Sequence, residues 1–122
     1  MSNKDIVVAF WTQVFQDKDP AGAAAAYLGE TYIQHNPNAT DGASGLIEFA
    51  AVLAEREPNV TAEIVRVVAE GDLVATHSKF IYSSATVAAM DFWRLDTNGK
   101  IVEHWDSIQP VPPTSRNDNG MF

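Results

Sequence analysis

Val87-Ala88-Ala89-Met90-Asp91-Phe92-Trp93-Arg94-Leu95-Asp96 and Lys100-Ile101-Val102-Glu103-His104-Trp105-Asp106-Ser107-Ile108-Gln109 flank Thr97-Asn98-Gly99 in a strand–turn–strand pattern. Both runs have strand composition, and Asn98-Gly99 is the strongest turn signal in the chain. A two-residue turn there pairs Thr97 with Lys100. The register then sets Leu95 opposite Val102, Trp93 opposite His104 and Asp91 opposite Asp106. Directly opposed residues share a face, with Cβ atoms about 4.5–5.5 Å apart. Two carboxylates so placed repel, and one relief is a shared proton, which raises one apparent pKa toward the range useful for acid/base work. The alternative is that both aspartates point to solvent. Asp91 sits among Ala88, Ala89, Met90, Phe92 and Trp93, which read as the middle of a buried strand. A one-residue bulge would move Asp106 relative to Asp91.

Earlier in the chain, Thr61–Glu70 and Leu73–Tyr82 are rich in Val, Ile and Thr and flank Gly71-Asp72, a second hairpin turn. This turn sets His77 opposite Arg66. His77 reads either as a hydrogen-bonded core residue or, with Asp91 expected close by, as a partner in chemistry. His104 is expected to alternate away from Asp106 and to pack on Trp93 under the helices, as a structural residue.

The N-terminal half is helical. Ile6, Val7, Phe10, Trp11, Val14 and Phe15 form one apolar face, with Ser2 as cap and Asp5 completing a variant capping box. Asp19 and Pro20 open an alanine-rich helix running to about Leu28 and stopped by Gly29. Tyr32-Ile33-Gln34-His35-Asn36-Pro37-Asn38 is a short extended piece entering a polar loop. A third helix starts near Asp41 or Ser44, turns Leu46, Ile47, Ala50, Leu53 and Ala54 inward, and ends by Glu57 before Pro58. Helices followed by an antiparallel sheet define an α+β protein with its helices on one side. The domain spans residues 1–110, and residues 111–122 form a tail without periodicity.

Composition narrows the function. The 122 residues suit one domain. Eight basic against 16 acidic side chains give a net charge of −8, which repels nucleic acid and anionic membranes alike. No cysteine is present, so disulfides, thiolate zinc sites and cysteine nucleophiles are excluded. The polar start, Met1-Ser2-Asn3-Lys4-Asp5, is no signal-peptide core, and the expected location is the cytoplasm. His35, His77, His104, Asp91 and Asp106 could ligate a metal, but their spacing matches no metal motif, and none is expected. His35 and Tyr32 are candidates for a pocket rim, or His35 merely caps the Asn36-Pro37 turn.

Tyr32 to Pro37 followed by Asp41-Gly42, then Val74-Ala75-Thr76-His77, then Asp91-Phe92-Trp93-Arg94-Leu95, then Gly99 to Gln109, resembles the SnoaL-like proteins of the nuclear-transport-factor-2-like superfamily. The resemblance covers nearly the whole chain to Pro110. It implies an NTF2-like cone-shaped barrel, with three N-terminal helices on a strongly bent, mostly antiparallel sheet, four strands of it in the C-terminal half. It also implies a pocket inside the cone and a homodimer formed through the sheet. Members similar to the polyketide cyclases close a ring by aldol condensation without metal or cofactor. In them an aspartate at the position of Asp106 is the acid/base, and the residue matching Asp91 is often histidine, so Asp91 departs from that pattern.

The expected function is therefore cofactor-independent acid/base chemistry on a small hydrophobic carbonyl compound, of aldol or isomerisation type. Asp106 is the expected acid/base, tuned by Asp91 and His77, with Tyr32, His35 and Trp93 contacting substrate. The competing reading is a non-catalytic ligand-binding or dimerisation module in the same cone. A third is a ketosteroid-isomerase-like isomerase, which lacks a clear tyrosine partner in the strand half.

Overall fold

Ser2 opens helix α1 (Asn3–Phe15) through a full capping box: its hydroxyl accepts from Asp5 N, and the Asp5 carboxylate accepts from Ser2 N. The apolar face expected of this helix buries Val7, Phe10, Trp11 and Val14 completely. A computed structural model describes all residues from Met1 to Phe122. Helix α2 (Pro20–Tyr27) begins with the Asp19 carboxylate accepting from Gly22 N and Pro20 in its first turn. Helix α3 (Gly42–Arg56) buries Gly45, Leu46 and Ala50 and stops before Pro58.

Five strands follow the order β1-β5-β4-β3-β2: β1 (Leu28–Gln34), β2 (Thr61–Glu70), β3 (Leu73–Ile81), β4 (Thr86–Leu95) and β5 (Ile101–Pro110). The last four form an antiparallel meander, and β1 pairs parallel to β5 at the edge. The helices pack on one face of this bent sheet. Trp93 meets Phe10 edge-on at 5.4 Å, and Phe80 meets Trp11 at 5.8 Å and Phe15 at 5.2 Å. No helix is long and apolar enough to cross a membrane.

Two local expectations are corrected. Helix α2 ends at Tyr27 with Leu28 as its C-cap, within a residue of expectation, but Gly29 is not its stop: Leu28 and Gly29 begin β1, where Leu28 is buried and the strand runs close against β5. At Gly29 a Cβ would lie 2.9 Å from Val102 Cγ1, so the glycine serves a close approach between strands, not a helix stop. The β4–β5 turn also differs. Asp96 N bonds to Lys100 O and Leu95 pairs with Ile101, so the loop has three residues, closed by Gly99 in left-handed backbone at φ 75°. A register shift between Arg94 and Leu95 leaves Val102 unpaired, and this bulge restores the arithmetic. Trp93 still pairs with His104, and Asp91 with Asp106. The β2–β3 turn has the expected two residues, with Arg66 opposite His77.

Beyond Pro110 the chain has no helix or strand, but it remains anchored. Val111 N bonds to Thr86 O, and the Phe122 ring stacks on His77 at 5.7 Å with Lys79 Nζ 5.0 Å from its centroid.

Candidate active site

Alternation along β4 and β5 sorts the polar residues between two faces. Trp93 faces the helices, so Asp91, two residues away, does too, and their cross-strand partners His104 and Asp106 join them. All four line a cavity of about 60 Å³ whose other walls include Trp11, Phe15, Leu46, Phe49, Phe80 and Tyr82. A larger groove of about 510 Å³ runs along α3 between Asn38 and Arg56, but few titratable groups meet there. The small cavity holds the converging chemistry.

His104 sits between the two carboxylates. Its Nε2 lies 2.7 Å from Asp91 Oδ1 and 3.8 Å from Asp106 Oδ2, and its ring stacks on Trp93 at 4.1 Å. The aspartates therefore relieve their repulsion largely through an imidazole. The expectation that His104 points away from Asp106 fails for a simple reason: residues two apart in a strand share a face. Period-two arithmetic alone would have recovered this residue. The packing on Trp93 is as expected.

Two amides from the β1 end complete the cluster. Gln34 Oε1 lies 2.8 Å from His104 Nδ1, and Asn36 Nδ2 donates to Asp106 Oδ2 at 2.8 Å. Parallel pairing of Gln34 with His104 brings them there, and Gln34 N donates to the Asp41 carboxylate at 2.8 Å at the mouth of α3. Neither amide carries a local sequence signal for this role. Asp91, His104 and Asp106 have metal-ligand chemistry, with donor atoms within 4.8 Å of one another. Each is held by hydrogen bonds to its neighbours or to these amides.

Burial pushes the Asp91 carboxyl above the ordinary carboxylate range; the His104 hydrogen bond opposes the shift and the Asp106 charge adds to it. Tyr32 is also inside rather than at a rim. Burial raises its phenol, the Gln34 amide opposes this, and both aspartate charges add to it. Trp93 forms part of the cavity wall, with its indole N–H donating to Thr76 Oγ1 at 3.1 Å.

The other two histidines lie across the sheet. His77 pairs with Met90, whose neighbour Asp91 points the opposite way, so His77 faces outward, bonded to Arg66 and covered by Phe122. Its place beside Asp91 in the sheet does not bring it into the cavity. His35 also faces outward: it stacks on Trp105 at 4.9 Å, and its Nε2 lies 2.7 Å from Glu103, which Arg94 holds from the other side.

Three helices on a curled, mostly antiparallel sheet, with carboxylates and an imidazole converging beneath the helices, define an NTF2-like α+β protein. The model of the SnoaL-like domain matches residues 7–104, and the chain belongs to that family. No curated protein matches it. Among solved structures, TsrD from Streptomyces laurentii is similar at 18% identity and a TM-score of 0.74, covering 87% of each chain. IdmH, a candidate polyketide cyclase from Streptomyces antibioticus, shares 19% identity over 88% of this chain and 92% of its own, with a TM-score of 0.73. A candidate isomerase of the SnoaL-like family from Agrobacterium tumefaciens has 11% identity over 89% of this chain and 99% of its own, with a TM-score of 0.73. At these identities the likeness is one of fold.

Proposed function

We propose that this SnoaL-like protein is a cofactor-independent acid/base enzyme that abstracts a proton alpha to the carbonyl of a small hydrophobic substrate, for aldol closure or isomerisation. The observation that carries the reading is the Asp91–His104–Asp106 cluster at the polar end of an otherwise apolar cavity. Asp106 accepts the α-proton, leaving an enolate. In aldol closure the enolate carbon bonds to a second carbonyl carbon, and the alkoxide that forms takes up a proton. No lysine or arginine lines the cavity to offset the Asp106 carboxylate, which favours a neutral substrate over an anionic one.

Replacing Asp106 with Asn tests this reading. Turnover should fall by at least about 100-fold, the scale of a lost general base, while thermal stability stays level or rises. Retained turnover in that variant would sink the assignment.

One observation favours the competing binding-module reading: the cavity, at about 60 Å³, has room for only a few water molecules. An enzyme of the proposed kind must open by displacing side chains such as Phe15, Leu46 or Phe80. A crystal soaked with a small ketone separates the two, since the enzyme reading requires the ketone's α-carbon to lie against Asp106.

The proposal includes a homodimer through the outer face of the sheet, where Met90 and Phe92 are 54% and 53% exposed.

A further inference from the structure

The hydrogen bonds around His104 determine where its protons are. The backbone N–H of Asn36 can only donate, and it lies 2.9 Å from Gln34 Oε1, so that atom is the amide oxygen and the side chain cannot be flipped. The same oxygen is 2.8 Å from His104 Nδ1. An amide oxygen has no hydrogen to give, so Nδ1 carries one. The other ring nitrogen, Nε2, is 2.7 Å from Asp91 Oδ1. Two lone pairs do not approach that closely, so one proton lies between them, on the carboxyl or on the ring. Burial of Asp91 favours the carboxyl side.

Asp106 is set up in the opposite sense. Asn38 N donates to Asn36 Oδ1 at 2.8 Å, which turns Asn36 Nδ2 toward Asp106 Oδ2, and that oxygen accepts. The 3.8 Å gap from Asp106 to His104 Nε2 is too long for a hydrogen bond.

We infer that Gln34 is a positioning residue that holds His104 with Nδ1 protonated, confining a single proton to the His104–Asp91 contact and separating this acid from Asp106 as base. The proton placement stands on geometry alone; its part in turnover rests on the function proposed above. In that reaction Asp106 takes the α-proton, and the product alkoxide takes the proton held between His104 and Asp91. The proton on Asp106 then crosses to His104 Nε2, so none is gained or lost over the cycle.

Nitrogen-15 NMR of the imidazole tests the inference in the whole protein near neutral pH. Wild type should show His104 Nδ1 protonated. Gln34→Met removes the acceptor at nearly constant volume, so Nδ1 should lose its proton and Nε2 should donate to the Asp91 carboxylate. Gln34→Glu keeps an acceptor and should keep Nδ1 protonated, giving a second readout should the methionine variant fold poorly. An unprotonated Nδ1 in wild type, or a Gln34→Met spectrum unchanged from it, overturns the inference. Turnover should fall about 100-fold in Gln34→Met and be substantially recovered in Gln34→Glu. The expected NMR pattern without turnover of any carbonyl substrate would leave the proton placement standing and remove the proposed function.

Discussion

At Asp91 burial and charge conflict directly. Its carboxyl is raised because burial disfavours the anion. Between the ordinary carboxylate value and that raised one, the folded chain keeps a proton that the unfolded chain has lost. Stability from this group therefore falls as pH rises through the window, and stays low above it. Asp91→Asn mimics the protonated carboxyl, since its amide can donate to His104 Nε2 while Gln34 holds Nδ1. The variant should melt above wild type at pH 7, by on the order of 1 kcal/mol or about 4 °C, and the difference should vanish as pH drops below the ordinary carboxylate range. Thermal melts across pH check this; a gap that widens toward acid would contradict it. The pairing of Asp91 with Asp106 was legible in the sequence, because cross-strand partners follow from counting. The intervening imidazole was legible in principle, by the same count.

Elements deliver these side chains, and helix α3 governs one of them. Gly45 lies in its first turn, where a Cβ would stand 1.8 Å from the Thr40 carbonyl oxygen. The loop that carries Asn36 to Asp106 is thus pressed directly against the helix. Gly45→Ala should cost about 1–3 kcal/mol, read by urea denaturation, because backbone rather than a movable side chain must give way. Turnover should fall as well, as the loop shifts Asn36 off Asp106; a variant as stable as wild type would show that the loop yields freely. The β4–β5 hairpin shows why a local count can succeed for the wrong reason. Its turn has one residue more than Asn98-Gly99 suggests, and the bulge at Val102 takes up the difference. Burial of Trp93, Leu95 and Ile101 favours that register whatever the turn, because a slip by one would turn either Trp93 and Leu95 or Ile101 to solvent.

At the scale of the whole molecule, the two faces of the sheet divide the work. The inner face carries the core and the cavity, and the outer face leaves Met90 and Phe92 in solvent beside the Phe122-capped His77. Light scattering should give twice the 13.3 kDa chain mass for wild type. The double change Met90→Glu and Phe92→Glu should give the single mass with the fold intact; a wild-type monomer would remove the dimer. From the sequence alone came the α+β order, the helix caps, both hairpins and the Asp91–Asp106 pairing, all of which rest on periodicity and pairing between neighbouring segments. Only the tertiary structure brought β1 alongside β5, carrying Gln34 and Asn36 onto partners 70 residues away, and put His77 and His35 on the outer face. A parallel edge pairing is chosen by burial across the whole core and leaves no local pattern to count. Hence the carboxylates could be read from the chain, whereas the amides that place their protons could not.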